Sequence, residues 1–381
     1  MSDFQQLKKE LIQYSKSIGI DKIGFTTASP FAELKNRLEL QRDLGYQSGF
    51  EEPDLEKRTN PALLLNESRS IISIALAYPS KMTNRVQSKS GEWRGIFCRA
   101  SWGTDYHLLL KEKLKMLESY LQERIPQAKC KSMVDTGELA DRAVAERAGI
   151  GWSGKNCGVI TPEFGSYVYL GEMITNIPFE PDQPLENRCG ECTKCIDACP
   201  TGALVQGGQI NAQRCIGYLT QTKGILPEEF REKLGNRIYG CDSCQTACPE
   251  NKGLDFHHHT EMEAEAEMVK PLLKPLLTLS NREFKEKFGN LAGSWRGKKP
   301  IQRNAIIALA HFKDQTALPE LEQVLLTDSR FELRATAAWA IGKIGGQRAL
   351  DLLNKAKDSE SEAIVLADIE KSLIAIQKRM D

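Results

Sequence analysis

A run of regularly spaced cysteines constrains the fold of this chain more than any other feature of its sequence. Cys189, Cys192 and Cys195 are each separated by two residues, and Cys199-Pro200 follows after a gap of three. Bacterial ferredoxins with two [4Fe–4S] clusters have this spacing, and the fourth cysteine of their run binds the other cluster. The pattern therefore predicts two iron–sulfur clusters and requires four further cysteines.

The second group of cysteines lies downstream and supplies those ligands. Cys241, Cys244 and Cys248 repeat the gaps of two and three residues, and Cys215 precedes Cys241 by 26 residues. A zinc ribbon would need two Cys-x2-Cys pairs around one ion, and eight cysteines with two Cys-Pro endings fit it poorly. The predicted ligands are Cys189, Cys192, Cys195 and Cys248 for cluster 1, and Cys199, Cys215, Cys241 and Cys244 for cluster 2.

Composition and charge exclude several classes of protein. The 381 residues include 51 Lys and Arg and 51 Asp and Glu, so the net charge is zero and a histone-like basic protein is excluded. No apolar stretch approaches the roughly 20 residues that span a bilayer. Residues 1–20 lack the positive start and apolar segment of a signal peptide. We therefore expect a cytoplasmic protein with no membrane partner.

Four segments differ in composition and periodicity. Short Ile-rich runs such as residues 70–77 alternate with helical stretches over residues 1–177, which predicts an α/β domain. The Cys-, Pro- and Gly-rich residues 178–255 predict a domain like a two-cluster bacterial ferredoxin, and residues 256–300 form a connector with a basic patch. Over residues 301–381, apolar motifs recur at an offset of 32 residues, which predicts all-α repeats of HEAT type.

Two motifs in the α/β segment allow more than one interpretation. Asp135 precedes a predicted helix at residues 139–148, where a carboxylate most simply caps the helix, although it could deliver a proton if burial raised its pKa. Residues 149–156, GIGWSGKN, match the nucleotide-binding pattern G-x-G-x-x-G. Here a helix precedes and a strand follows, the reverse of that site. We interpret the glycines as a helix end that lets the backbone approach a ligand closely.

Three consecutive histidines, His257 to His259, lie in an acidic segment after the last cysteine. Adjacent histidines suggest a metal site, but consecutive side chains point in different directions. We therefore predict a solvated loop.

These motifs together resemble the epoxyqueuosine reductase family, whose members depend on cobalamin and are distantly related to reductive dehalogenases. The similarity extends over nearly the whole chain. It rests on Val134-Asp135-Thr136 with Arg142, the GIGWSGKN segment, the cysteine run, CIGYLT at 215–220, NRIYGCDSCQ at 236–245, RASWGTDYH at 99–107 and Arg303-Asn304-Ala305. The chain departs from the family pattern at Ala100, Ser101, Gln221, Thr222 and Glu250.

The resemblance implies an oxidoreductase of tRNA processing that catalyses the last step of queuosine biosynthesis. It would reduce the epoxide of epoxyqueuosine at the wobble position (34) of tRNA to queuosine, with base-off cobalamin as the reactive centre and the clusters as the electron relay. Asp135 would donate the proton, Arg142 would support it, and Cys98 would lie on the lower face of cobalt. The implied cobalamin contacts are Arg58, Cys98, Tyr106, Asp135, Ser153, Lys155, Asn156 and Gln221, with the insertion 200–240 contributing to the site.

The resemblance also implies the partners. A tRNA carrying epoxyqueuosine would bind to basic residues in and beside the segment 281–304, which has seven Lys and Arg against two Glu. A low-potential donor such as flavodoxin or ferredoxin would supply electrons, and the chain would act as a monomer. The implied tRNA contacts are Lys223, Arg296, Lys298, Lys299 and Arg303.

Two other functions fit parts of the sequence. A reductive dehalogenase-like enzyme would use the same cofactors on a small molecule, but the basic segment and the repeats would have no role in it. A non-catalytic ferredoxin fused to HEAT repeats would only transfer electrons, and it leaves residues 1–175 and Asp135 unexplained.

Overall fold

The structure is a computed structural model that describes residues 3–380. The chain folds into two compact units, each built from separate stretches of sequence. Unit 1 comprises Met1–Lys81, Thr104–Cys215 and Asp242–Glu263, and unit 2 comprises Met82–Gly103, Ile216–Cys241 and Ala264–Asp381.

Strands and helices alternate in the first half of the chain, and helices dominate the second half. The strands are β1 (Lys22–Thr27), β2 (Ser70–Ala77), β3 (Ile96–Phe97), β4 (Cys130–Met133), β5 (Trp152–Ser153), β6 (Val159–Ile160), β7 (Val168–Thr175), β8 (Leu204–Gln206), β9 (Gln209–Ile210) and β10 (Arg237–Tyr239). The α-helices are α1 (Asp3–Ser17), α2 (Ala32–Asp43), α3 (Leu55–Thr59), α4 (Tyr106–Arg124), α5 (Asp141–Arg147), α6 (Lys194–Asp197), α7 (Ile216–Leu219), α8 (Glu228–Arg231), α9 (Ser243–Thr246), α10 (Ala266–Val269), α11 (Leu273–Thr278), α12 (Asn281–Phe288), α13 (Lys298–His311), α14 (Leu318–Thr327), α15 (Phe331–Ile344), α16 (Gln347–Ser359) and α17 (Ala363–Met380). None of the helices in residues 3–380 has the length and apolar composition needed to cross a lipid bilayer.

A four-stranded antiparallel sheet forms the centre of unit 1, in the order β1-β2-β7-β4. Every residue of β2 is buried. In β7, Leu170 packs with Ala145 of α5, whereas the next residue, Gly171, faces Leu114 of α4. Because successive strand residues point to opposite faces, α4 and α5 cover the two sides of the sheet. The predicted α/β layers are confirmed, and the antiparallel pairing is a feature that the alternation of elements does not determine.

The cysteine motifs of unit 1 lie on two short helices. α6 carries Cys195 and α9 carries Cys244, and each helix ends two residues before a Cys-Pro pair. The two helices contact each other. This repeated arrangement of helix and Cys-Pro ending confirms the ferredoxin-like part of the predicted fold.

The C-terminal helices α13 to α17 pack in a repeating pattern within unit 2. α13 contacts α15, α15 contacts α17, and α14 and α16 pack beside them. α15 and α17 approach closely at Gly342, where an added Cβ would lie 2.3 Å from Ser372 Oγ. This proximity explains why the second repeat has glycine where the first has Ala310. The predicted HEAT-like repeats are confirmed.

The segment before the repeats contains helices. Residues 264–300 include α10, α11 and α12, and α12 begins at a capping box. Ser280 Oγ accepts a hydrogen bond from Glu283 N–H at 3.1 Å, and the Glu283 carboxylate accepts one from Ser280 N–H at 2.8 Å. Arg282, Lys285 and Lys287 are therefore carried by a capped helix.

The three histidines are held by carboxylates within unit 1. His258 Nδ1 and His259 Nε2 lie 2.6 and 2.7 Å from the two carboxylate oxygens of Asp21, and His257 Nδ1 lies 2.6 Å from Glu263. The side chain of His259 is only 10% exposed. The prediction of a solvated loop is wrong for His259, because the Asp21 carboxylate holds it in a partly buried position.

Candidate active site

Asp135 lies in the loop between β4 and α5 and does not cap the helix. α5 begins at Asp141, and its N-cap, Ala140, makes no side-chain capping bond, so the capping interpretation of Asp135 is wrong. The backbone of Asp135 has a positive φ of 48°, which aspartate tolerates better than most residues. Its carboxylate is exposed and faces His107, with Oδ2 lying 3.4 Å from Nε2.

His107 lies between two carboxylates at the start of α4. The helix N-cap, Asp105, accepts a hydrogen bond from the His107 backbone N–H at 3.0 Å and contacts His107 Nδ1 at 2.7 Å. This contact orients Nε2 toward Asp135. Burial lowers the pKa of His107, but the hydrogen bond to Asp105 and the nearby carboxylates of Asp105 and Asp135 outweigh burial and raise this pKa to about 9. The imidazole is therefore charged at neutral pH.

The pKa of Asp135 shifts in the direction opposite to the one a proton donor needs. The neighbouring His107 lowers this pKa most, burial opposes the shift with a smaller effect, and Tyr106 and the charge of Arg142 lower it further. Burial does act to raise this pKa, but the neighbouring groups outweigh it, so the carboxylate form of Asp135 is favoured in this structure. A proton delivered through Asp135 must first reside on a neighbouring group.

Arg142 and Arg58 are positively charged residues near the Asp135 loop. Arg142 donates a hydrogen bond to the carbonyl of Cys157, and its charge favours ionised Asp135. Arg58 is half-buried, and its backbone carbonyl accepts a hydrogen bond from Ala140 N–H at 3.3 Å. Burial lowers the pKa of its guanidinium. Arg142 thus supports the charge of Asp135 electrostatically, while its hydrogen bond to the Cys157 carbonyl holds a neighbouring loop.

Glu172 of β7 is a buried carboxyl group near this charged set. It is 1% exposed, and neither of its carboxylate oxygens has a hydrogen-bond partner among the residues that the structure describes. Burial raises the pKa of Glu172 well above its ordinary value, and the charges of Asp141 and Asp135 raise it further. Because a buried, unpaired charge is costly, Glu172 is held as the neutral acid.

The GIGWSGKN segment forms the β5–β6 hairpin and contains buried donors without partners. Trp152 Nε1 and Asn156 Nδ2 make no hydrogen bond within residues 3–380. Ser153 Oγ, in contrast, donates to Glu146 at 2.7 Å, and the half-buried Lys155 donates to the Gly190 carbonyl. Unpaired buried donors are costly, so Trp152 and Asn156 suit a ligand that offers carbonyl or phosphate oxygens. The amide-rich periphery of a corrinoid meets that requirement.

Cys98 lies against a glycine in unit 2. Its backbone N–H donates to the Tyr239 carbonyl at 2.9 Å, which continues the β3–β10 pairing. The next residue, Gly240, has a φ of 69°, and a Cβ added there would lie 2.2 Å from Cys98 Sγ. The thiol therefore occupies the space that any larger residue at position 240 would need.

Gln221 is hydrogen-bonded to an exposed aromatic residue, Trp295, within unit 2. Its Oε1 accepts hydrogen bonds from Trp295 Nε1 at 2.8 Å and from the Tyr239 hydroxyl at 3.3 Å, and its backbone carbonyl accepts one from Arg296 Nε at 3.2 Å. The Trp295 side chain is nevertheless 54% exposed. Trp295 is not among the residues predicted from the sequence to contact tRNA, although a tryptophan in a basic, glycine-bounded segment is a usable signal for base stacking.

Arg303 does not lie on the surface as the tRNA prediction requires. It is 2% exposed, and its guanidinium donates to the backbone carbonyls of Leu219, Thr222 and Gly224. Burial lowers its pKa to about 9. The prediction of a tRNA contact at Arg303 is corrected, because its donors already hold the 219–224 segment.

The other basic residues line or border a groove in unit 2. Arg296, Lys298 and Lys299 contribute to a groove of about 700 Å³ together with Arg330. Lys298 Nζ donates to the Leu279 carbonyl at 2.8 Å, whereas Lys299 is exposed. Cationic side chains along an open groove suit phosphate groups of a nucleic acid backbone.

Several cysteine thiols of unit 1 lie close enough to shift one another's pKa. Burial raises the pKa of Cys195, and the charges of Cys189 and Cys192 raise it further. Burial likewise raises the pKa of Cys248, and the charges of Cys189 and Cys195 add to it. The four residues assigned to cluster 1 therefore lie close enough for electrostatic coupling.

Cys199 lies in a different environment. Burial raises its pKa, but backbone N–H groups outweigh burial and lower it, and one of them, from Ala203, lies 3.2 Å from Sγ. Hydrogen bonds to sulfur are a usual way to tune iron–sulfur potentials. Of the other residues assigned to cluster 2, Cys215 and Cys244 belong to unit 1, and Cys241 is the last residue of a unit 2 segment.

Family models match three parts of the chain. The 4Fe-4S double cluster binding domain matches residues 188–251, the Epoxyqueuosine reductase QueG, DUF1730 model matches residues 58–136, and the HEAT repeats model matches residues 296–374. The chain therefore contains a double-cluster iron–sulfur domain followed by HEAT repeats.

Relatives match over the full length of the chain. Epoxyqueuosine reductase of Bacillus anthracis is 66% identical over 379 residues, covering 100% of both chains, and that of Bacillus subtilis (strain 168) is 66% identical over 97% of this chain and 95% of its own. A solved epoxyqueuosine reductase with a tRNA-Tyr epoxyqueuosine-modified stem loop is 65% identical, with a TM-score of 0.96 over 98% of this chain and 100% of that one. A Bacillus subtilis structure, whose catalytic aspartate loop is swung out of the active site, is 64% identical with the same TM-score of 0.96 and the same coverage, 98% and 100%. This chain belongs to the epoxyqueuosine reductase family.

Proposed function

We propose that this chain reduces the epoxide of epoxyqueuosine at the wobble position of tRNA, which gives queuosine. The observation that carries the proposal is the match in sequence and fold, over the whole chain, to an epoxyqueuosine reductase solved with a modified tRNA stem loop. The reaction breaks both C–O bonds of the epoxide, consumes two electrons and two protons, and releases water. The protein must therefore supply an electron path, proton donors and a surface for RNA.

Two [4Fe–4S] clusters supply the electron path, and the eight cysteines assigned above bind them. Cobalamin in the base-off state, when bound, supplies a cobalt centre that can be reduced to a strong nucleophile. The unpaired donors of Asn156 and Trp152 support a cofactor rich in amide and phosphate oxygens, and Arg58, Tyr106, Ser153 and Lys155 complete the proposed contacts of unit 1. In unit 2 the proposed contacts are Cys98 and Gln221.

Asp135 is proposed as the group that hands a proton to the epoxide oxygen. Its carboxylate is exposed on a loop whose backbone is held at a positive φ. Arg142 favours the carboxylate form between proton transfers. The loop itself contributes orientation, because a positive φ at Asp135 turns the side chain toward His107.

The proposed tRNA surface consists of basic side chains and one aromatic ring. Arg296, Lys298 and Lys299 line the groove described above, and Lys223 is exposed. Trp295 offers a face on which a splayed base of the anticodon loop can stack. An external low-potential electron donor, a monomeric state and a cytoplasmic location complete the proposal.

The test is an analysis of tRNA nucleosides from a queuosine-producing bacterium that lacks this gene and any redundant enzyme. Epoxyqueuosine is expected to accumulate, and the wild-type chain is expected to restore queuosine. Asp135→Ala is expected to fail, whereas Asp358→Ala, an exposed aspartate of α16, should restore queuosine fully. Unchanged queuosine in the deletion strain would overturn the proposed reaction, and rescue by Asp135→Ala would remove only the proposed acid.

A further inference from the structure

The proposed reaction requires acid chemistry that Asp135 cannot supply alone. The epoxide oxygen leaves as water, so two protons must reach it in each turnover. A carboxylic acid holds one proton, and the Asp135 carboxyl is ionised at neutral pH because His107, Tyr106 and Arg142 stabilise its charge. A neighbouring group that carries a proton at neutral pH can therefore supply the proton that Asp135 lacks.

His107 is placed to be that group. Its Nδ1 is fixed by Asp105 at 2.7 Å, and its Nε2 lies 3.4 Å from Asp135 Oδ2. The Nε2 atom is buried and makes no well-formed hydrogen bond within residues 3–380. A shift of a few tenths of an ångström in the Asp135 loop would bring the two atoms to the 2.7–3.2 Å at which hydrogen bonds form.

Aromatic stacking fixes the plane of the imidazole. The ring of Tyr106 stacks on His107 at a centroid distance of 4.2 Å, and Tyr169 of β7 stacks on Tyr106 at 4.4 Å with a 6° interplanar angle. The side chain of His107 is 20% exposed and that of Asp105 is 31% exposed. The imidazole is thus held in one orientation.

We propose that His107 holds the proton for the reaction and passes it from Nε2 to Asp135 Oδ2, from which it goes to the epoxide oxygen. This inference rests on the proposed role of Asp135 as the acid. In each transfer the Nε2–H bond breaks, an O–H bond forms on Asp135, and the imidazole becomes neutral. Nδ1 keeps its hydrogen toward Asp105, so the lost proton is replaced at Nε2 from solvent by way of the exposed Asp135 carboxylate, and a second transfer completes the water molecule. The two electrons come from the external low-potential donor through the iron–sulfur clusters.

The proposal predicts a dependence of rate on pH. Asp105 and Tyr106 lie beside His107. Arg142, Asp141 and Glu172 are the charged and titratable groups around Asp135. Because the pKa of His107 is raised to about 9, the charged imidazole is present below that pH and is lost as the pH rises through it. The single-turnover rate should therefore fall above about pH 9.

The activity test compares His107→Gln with His311→Gln, an exposed histidine of unit 2, in the reconstituted holoenzyme. His107→Gln keeps a hydrogen-bonding side chain but cannot carry the proton, so kcat should fall on the order of 100-fold or more. Its KM for the tRNA stem loop should stay unchanged, and the fall in rate at high pH should disappear. His311→Gln should match the wild type. A His107→Gln enzyme with wild-type kcat and the same fall in rate at high pH would overturn the inference.

A second readout does not depend on turnover. The Cε1–H signal of His107 in the isotope-labelled full-length protein should titrate near pH 9 and should move to lower pH in Asp105→Asn and in Asp135→Ala. Titration near the ordinary histidine value of about 6.5 would overturn the inference.

The two proposals fail in different ways. If Asp135→Ala is inactive while His107→Gln is fully active, the acid remains and the proton-holding role of His107 is wrong. If Asp135→Ala is active while His107→Gln is inactive, the transfer through Asp135 is wrong.

Discussion

Replacing Gly240 by alanine tests the contact between β3 and the segment that follows β10. The new Cβ would lie 2.2 Å from Cys98 Sγ and 2.7 Å from Cys98 Cβ, so the thiol must move by more than an ångström to reach ordinary contact distance. Overpacking of this kind costs about 1–3 kcal/mol. The φ of 69° at this position adds about 1–2 kcal/mol for a residue with a Cβ. Gly240→Ala should therefore destabilise the protein by about 2–5 kcal/mol.

A double variant separates the two contributions. In Cys98→Ala/Gly240→Ala the 2.2 Å contact with Sγ is removed while the 2.7 Å contact with Cβ remains, so part of the overpacking cost of about 1–3 kcal/mol should be recovered. Gly224 is a matched control, because its φ is 81° and no atom lies within 4 Å of an added Cβ. Gly224→Ala should show only the backbone cost.

The assay is urea unfolding of the four proteins under anaerobic, reducing conditions, with the reaction of Cys98 with a thiol reagent as a second signal. The displaced thiol of Gly240→Ala should react faster than in the wild type. Equal free energies of unfolding for Gly240→Ala and Gly224→Ala would refute the reasoning, as would a double variant no more stable than Gly240→Ala.

Three further substitutions should change stability, RNA binding or iron content. Asp368→Ala leaves Arg231, whose side chain is 5% exposed, without its buried partner at 3.2 Å, and it should cost about 3–5 kcal/mol of unfolding free energy. Trp295→Ala should weaken binding of the modified stem loop by about 1–3 kcal/mol, measured by fluorescence anisotropy at fixed salt, because a stacking surface is removed. Cys248→Ser should lose iron and the absorbance of one cluster after reconstitution, because one of the proposed ligands of cluster 1 is removed.

Each of these changes has a control in the same chain. Lys371 of α17 forms an exposed ion pair with Glu228, and its replacement by alanine should cost less than about 1 kcal/mol. Phe331→Ala removes another exposed aromatic ring and should not weaken RNA binding. Cys130→Ser should keep the full iron content. Equal effects of a variant and its control would contradict the corresponding assignment.

Short-range patterns in the sequence predicted much of the fold. The cysteine spacing predicted the double-cluster domain because ligand geometry fixes the gaps. The Ile-rich run 70–77 predicted a buried strand with the bounds that β2 has. The 32-residue offset predicted the repeats, because each helix pair must bury the same face against the next.

The site depended more on tertiary contacts. His107 is 28 residues from Asp135, and only the packing of α4 beside the β4–α5 loop brings them together. The same contact reverses the expected direction of the Asp135 pKa. Arg303 was predicted to lie on the surface, although it belongs to an α13 segment that is buried from Pro300 to Ala310. The apolar residues 305–310 that follow it were the available signal.

The most direct test of the central claim is one reaction with purified components. The reconstituted protein, supplied with cobalamin and a low-potential reductant, is incubated with a stem loop that contains epoxyqueuosine, and the nucleosides are analysed by mass spectrometry. Our account predicts conversion to queuosine, with the loss of one oxygen atom, by the wild type and not by Asp135→Ala. An intact epoxide after incubation with the fully loaded, reduced wild-type protein would contradict it.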